Sequence, residues 1–176
     1  MRLYKMVLIV LAVILVAGCT LDDNGGESSP TSAPTSGSSG GGETGTVVRV
    51  IDGDTIDVDI NGTVYRVRYI GMNTPESDET CYAAATQANA GLVEGQTVRL
   101  IKDTSETDRY DRLLRYVYVG DVFVNARLVE QGFAEVVSYP PDTAYFETFR
   151  QLEIQATNAG LGCHPTGIFD DGNYER

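Results

Sequence analysis

The sequence predicts an α+β domain: a small five-stranded antiparallel barrel with about three helices packed on it. Three observations carry this. Apolar and polar residues alternate in short runs between residues 46 and 70. The runs are separated by strong turn signals, Asn61-Gly62 foremost. The early strands form a meander and helical stretches are interspersed among the later ones, which suggests a small antiparallel barrel with helices packed on it.

Residues 46–51 read as the first strand. Ile56, Val58 and Ile60 alternate with Asp57 and Asp59, so residues 55–60 form a second strand with one wet face. The chain turns at Asn61-Gly62 and returns through residues 63–70, where Tyr65, Val67 and Tyr69 alternate with Arg66 and Arg68. Residues 71–80 are loop. The Ala-rich run 81–92 is a helix, and Glu94-Gly95-Gln96 leads into a strand at 97–101. A polar loop over 103–113 precedes a strand at 114–119, with Val122 and Phe123 continuing it after a turn. Residues 124–131 are a short helix ended by Gly132, and 134–137 are extended. Asp142 or Thr143 is expected to cap a last helix that presents Tyr145, Phe149, Leu152 and Ala156 on one face and ends at Gly160. An OB-type barrel fits this count, and there is no internal repeat.

The folded part therefore spans 46–176. Ahead of it, Arg2 and Lys5 precede the apolar run "MVLIVLAVILVAG", which is short for a spanning helix and reads as a signal peptide over residues 1–18. "LVAGC" resembles a bacterial or archaeal lipobox, which implies lipidation of Cys19. The alternative is an uncleaved N-terminal anchor. Either places the domain outside the membrane. Residues 19–45 carry Gly, Ser, Thr and Pro with almost nothing apolar, too little to offset ordering entropy. Such a coil of about 25 residues reaches roughly 25–30 Å.

The net charge is −12, with 13 basic against 25 acidic residues. Cleavage before Cys19 removes two basic residues and no acid, leaving 11 against 25, or −14. Strong acidity ordinarily argues against nucleic-acid partners. With only two lysines, it suggests a salt-loving source. If Cys19 carries lipid, Cys81 and Cys163 remain as an even pair outside the cell, which suggests a disulfide; two unrelated buried thiols are the alternative.

Strand parity sorts the acids. Asp57 and Asp59 lie opposite the apolar positions and are expected to face water. Asp52 and Asp54 share the parity of Ile56, so they point inward at the barrel mouth if the strand runs back through Gly53; otherwise "DGD" is a simple turn. An inward carboxylate needs an arginine, hydrogen bonds or a cation. In "NTPE", Pro75 pushes Thr74 to an extended conformation and so fixes Glu76 after the third strand; Arg68 lies just before the same loop. "TDRYDRLLRY" supplies Tyr110 and Arg112. The only histidine, His164, cannot build a zinc site alone and is read as packing. The remaining chemistry is oxygen ligands suited to a hard cation, a carboxylate base, and arginines suited to a phosphate.

The order "IDGDT", "RYIGMNTPE", "TDRYDR", "VNARLVEQGFA" resembles the staphylococcal nuclease (thermonuclease) family, from about Thr46 to Gly162. The resemblance implies an OB-fold barrel with three helices, and calcium-dependent hydrolysis of DNA and RNA giving 3′-phosphates. It implies calcium binding by Asp54 and the Thr74 carbonyl, with Asp52 near the metal through water. It makes Glu76 the general base, Arg68 and Arg112 the phosphate-binding arginines, and Tyr110 a neighbour of the nucleotide phosphate. Asn73 stands where the family commonly has a second calcium-binding aspartate; its amide oxygen can ligate but brings no charge. Asp111 replaces a usual glycine, and aspartate tolerates left-handed backbone. The loop after Glu76 is short. Ser138 lies near the place of a nucleotide-contacting tyrosine, which makes Tyr139 the substitute substrate-binding residue. The expectation is a monomeric, membrane-tethered nuclease acting on DNA and/or RNA. Its rivals are a non-catalytic OB-type module that binds nucleic acid or metal, and a structural surface protein.

Overall fold

The computed structural model describes residues 42–170. The expected signal peptide, Cys19 and nearly all of the tether lie outside them. Among the described residues no helix is long and apolar enough to cross a membrane.

The strands are β1 (Glu43–Val50), β2 (Thr55–Ile60), β3 (Thr63–Tyr69), β4 (Met72–Asn73), β5 (Thr97–Ile101), β6 (Leu113–Val119), β7 (Val122–Phe123) and β8 (Glu135–Val136). The helices are α1 (Tyr82–Val93), α2 (Val124–Glu130) and α3 (Phe146–Ala159), followed by a short 3-10 turn at His164–Thr166. The main sheet runs β3-β2-β1-β5-β6-β7, and β3 also pairs with β6 to close a barrel of five long strands. Four of the five seams are antiparallel, but Val67, Arg68 and Tyr69 pair in parallel with Leu113, Leu114 and Arg115. The expected all-antiparallel barrel is thus corrected at one seam, for a geometric reason. Strand directions cannot alternate all the way round a closed ring with an odd number of members. The barrel interior is filled by Ile56, Val58, Val67, Val98, Leu100 and Val117, with α2 and α3 adding Leu128 and Phe149.

β1 begins three residues ahead of the expected start. Glu43, Thr44 and Gly45 pair with Leu100, Arg99 and Val98, and the Glu43 carboxylate accepts from buried Arg115. On its other side Gly45 lets β2 approach closely, because a Cβ there would meet the Asp59 carbonyl oxygen at 2.6 Å. The expected loop 71–80 holds a short strand, β4, that pairs with β8 as a second small sheet.

Three side chains depart from expectation. Asp142 does not cap the last helix, which starts at Phe146 without a side-chain cap. Its carboxylate instead accepts from the Thr104 and Ser105 amides at 2.9 and 2.7 Å and holds the 103–108 loop. Asp57 does not face water: its side chain is only 8% exposed, lying beneath Arg49 and Arg66 from the two flanking strands. Asp59 is half-buried and accepts from the Gly62 amide at the hairpin turn. His164 packs edge-on against Phe169, in keeping with a structural role.

Candidate active site

The Asp52-Gly53-Asp54 segment is a turn between β1 and β2, not a continuation of the strand. Both sequence readings of it hold in part. It is a turn, and it still delivers Asp54 to a buried position. Helix α1 fixes the turn from behind. Its buried stripe is Ala85, Asn89 and Val93, four residues apart. Asn89 donates to the Asp52 carbonyl at 2.8 Å and accepts from the Tyr69 hydroxyl at 2.9 Å. Gly53 leaves room for Thr74, since a Cβ there would sit 2.7 Å from the threonine side chain.

Thr74 reaches across to Asp54. Its backbone N–H and its hydroxyl both donate to Asp54 Oδ2, at 2.9 and 3.0 Å, and Thr55 donates to Oδ1 at 3.0 Å. Asp52 Oδ1 accepts from the Asp54 amide at 3.0 Å. Burial, and then the charge of Asp54, pushes the Asp52 carboxyl up to about 6.

Arg68 is buried at the end of β3. Nη1 donates to the carbonyls of Tyr69 and Met72 and lies 3.2 Å from Asp54 Oδ2. Nη2 donates to the Asn73 amide oxygen. The guanidinium is thus locked by the start of the very loop that carries Thr74 and Glu76. In that loop the Glu76 amide donates to the Glu79 carboxylate at 2.7 Å, and the Glu79 amide donates back to the Glu76 carbonyl at 2.8 Å. Glu76 itself is exposed on the cleft wall. Partial desolvation, with the charge of Asp54 adding to it and Arg68 opposing, raises its carboxyl above the ordinary value.

The opposite wall comes from the 104–112 loop. Asp111 adopts φ of 60°, the left-handed turn expected for this aspartate. Asp108 Oδ1 accepts from the amides of Tyr110 and Arg112, and Oδ2 accepts from Arg112 Nε at 2.6 Å. Burial raises the Asp108 carboxyl, but these hydrogen bonds outweigh it and hold it below its usual range. Neither Nη of Arg112 is used in that pair. The result is a cleft of about 670 Å³ lined by Arg68, Glu76, Arg112, Tyr110 and Tyr139 together with Asp108, Arg109 and Asp142. Tyr139, not Ser138, is on its wall.

The structure therefore brings the predicted base, both predicted arginines and both predicted tyrosines to one cleft, with Asp54 against Arg68 at its floor. Asp52, Asn73 and Thr74 gather behind them. All the donors near Asp54 are oxygens, which fits a hard cation. Only two of them are carboxylates, and among the described residues no three His, Cys, Asp or Glu side chains converge to ligate one. Any such ion would rest on Asp54 and Asp52, helped by the neutral oxygens of Thr74 and Asn73. Cys81 and Cys163 are joined in a disulfide with Cα atoms 5.7 Å apart, tying the end of the Glu76 loop to the segment after α3.

The sequence reading missed Asn89, Asp108 and Asn125. Asn125 accepts from the Val117 amide and donates to the Ile70 carbonyl, locking α2 to the barrel beside the cleft. For the two asparagines the available signal was an amide spaced four residues from apolar positions on a helix.

The model of the family described as "Staphylococcal nuclease homologue" matches residues 66–163. The chain belongs to this family. The match begins at Arg66, so the Asp52–Asp54 turn precedes it. Among similar proteins, the thermonuclease of Staphylococcus intermedius is 37% identical over 126 residues, covering 68% of this chain and 75% of the relative. The micrococcal nuclease of Shigella flexneri is 36% identical over 133 residues, covering 69% and 74%. Endonuclease YncB of Bacillus subtilis (strain 168) is 39% identical over 124 residues, covering 66% and 59%.

Proposed function

We propose that this staphylococcal nuclease homologue is a calcium-dependent nuclease that hydrolyses phosphodiester bonds of DNA and/or RNA, leaves 3′-phosphates, and works as a monomer tethered outside the cell membrane through lipidated Cys19. Nuclease activity is the part supported by family membership and by the nuclease relatives. The observation that carries the chemistry is a carboxylate and two arginines facing one cleft: Glu76, Arg68 and Arg112.

Glu76 takes a proton from the attacking water, whose oxygen bonds to phosphorus as the P–O5′ bond breaks and the leaving 5′-oxygen is protonated from solvent. The raised pKa of Glu76 brings it nearer to working pH as a base. Arg68 is held by backbone carbonyls and is thus pre-set to meet the charge that grows on the phosphoryl oxygens. Arg112, oriented through Nε by Asp108, presents its Nη groups to the same phosphate. Each such group typically lowers a barrier by about 3–4 kcal/mol. Tyr110 and Tyr139 line the path of the nucleotide. Asp54 and Asp52, with the oxygens of Thr74 and Asn73, would hold a hard cation, which would supply electrostatic stabilisation of the phosphate charge.

One observation favours a second reading, a non-catalytic module that binds nucleic acid or metal. Asn73 brings no charge to the metal site, and its amide oxygen is already engaged by Arg68. Against it stands Glu76, since a pure binder has no need of a base. Digestion of single-stranded DNA by the full chain, with calcium or with chelator, decides between them. Cleavage only with calcium, giving 3′-phosphate ends, is expected; binding without cleavage at any calcium concentration selects the module.

A further inference from the structure

Beyond the cleft, on the outer face of the barrel, lies a shallow groove of about 400 Å³ lined by Asp57, Val64, Arg66, Tyr110 and Arg112. Tyr110 and Arg112 also line the cleft, so the two adjoin. We propose that this groove is a backbone-binding track for single-stranded nucleic acid, in which Arg66, and Arg49 beside it on the other side of their shared Asp57, hold the sugar-phosphate chain where it leaves the cleft past Tyr110 and Arg112. The proposal rests on the nuclease reading and extends its substrate contacts.

Charge is the first argument. Two guanidiniums share one carboxylate: Arg49 Nη2 lies 2.6 Å and Arg66 Nε 2.9 Å from Asp57. The group keeps one positive charge in a chain whose net charge is −12. Its sign is therefore opposite to the protein's own and complementary to a phosphodiester chain. Arg66 also shares a face of β3 with Arg68, two residues on and about 7 Å away. Arginines thus continue outward from the floor of the cleft.

Geometry is the second. Asp57 is buried, whereas the Arg49 and Arg66 side chains are 62% and 46% exposed. Each arginine meets Asp57 through Nε and Nη2, so Nη1 of each lies outside the pair. A guanidinium held in this way loses little further freedom on gripping a phosphate. A purely structural cross-strand bridge is the competing account. Arg49, Asp57 and Arg66 are indeed register partners across three strands. One arginine would satisfy that role, however, and it gives no reason for the groove to meet the cleft.

The test compares kcat/KM for single-stranded DNA of about 3 and about 12 nucleotides, using the full chain with calcium. The double variant Arg49→Gln/Arg66→Gln should cut the long-to-short ratio by about 10-fold and reduce the salt slope for the long substrate by about 1.4, the share of two phosphates on a single strand. Because that variant leaves Asp57 without its partners, Val64→Lys is the companion. Val64 is 57% exposed and takes no part in the ion pairs, and the added charge should raise the ratio several-fold. A ratio unmoved by both changes overturns the track while nuclease activity stands. No cleavage of either length by the unaltered protein overturns the nuclease reading, and the track with it.

Discussion

The amide oxygen of Asn73 accepts a hydrogen bond from Nη2 of Arg68, and Nη1 of the same guanidinium lies 3.2 Å from Asp54. One arginine thus joins the position expected to ligate a cation to the position expected to anchor it. Asn73→Asp would add a third carboxylate to Asp54 and Asp52 without changing the size of the side chain. The added charge should strengthen both the pairing with Arg68 and the hold on a hard cation. Calorimetric titration should show calcium binding more tightly to the variant. Unchanged or weaker binding would remove Asn73 from the ligand set.

Glu76 is held by its main chain and not by its carboxylate. The reciprocal turn with Glu79 fixes the backbone, and the carboxylate stays on the cleft wall. Glu76→Gln should therefore leave the loop and substrate binding intact and remove only the base. The expected result is a fall in kcat of about 100-fold or more with little change in KM. Near-full turnover by the variant would reject Glu76 as the base.

Much of this site was legible because its local signals are covalent or periodic. Alternation placed Arg68, and the left-handed turn at Asp111 followed from the tolerance of aspartate. Asp57 was misread for an instructive reason. Parity says which face of a sheet a residue points to, but not what covers that face. Here the cover is two long arginine side chains reaching over from neighbouring strands. Asp142 was misread similarly: it lies near a helix start, yet the amides it serves are nearly forty residues away, in a loop no sequence window contains. The parallel β3–β6 seam is also non-local, since it arises only when the last strand closes the ring.

Asp57 yields a pH prediction with a definite sign. The hydrogen bond from Arg66, joined by those from Arg49, holds its carboxyl below the ordinary value despite its burial. A depressed folded-state pKa contributes stability that is present above the unfolded pKa of about 4 and lost as pH falls through the folded value. Asp57→Asn should cost about 1–2 kcal/mol at neutral pH. The gap between the variant and the unaltered protein should narrow as pH drops below about 4. Denaturant unfolding at a series of pH values reads this directly, and a gap that stays constant into acid would mean the ion pairs contribute nothing.

The net charge of −12 makes salt the sharpest probe of how this protein meets a polyanion. Ordinary nucleic-acid binders are basic and lose affinity as salt rises. Here the long-range field repels the substrate, and salt removes that repulsion first. At about 1 M salt the Debye length is roughly 3 Å, so distant surface acids no longer act on the substrate. Arg68 is buried and Arg112 half-buried, and both act at contact distance, so they are screened less. The same acids repel one another and weaken the fold in dilute buffer. Activity on short substrates and melting temperature should therefore rise together as potassium chloride goes from about 0.05 to about 3 M at fixed free calcium. Long substrates should gain less, because the Arg49–Arg66 track contributes a conventional, salt-weakened attraction. A protein that is fully folded and most active at the dilute end would reject long-range repulsion as the controlling force, and would leave the contact chemistry of the cleft untouched.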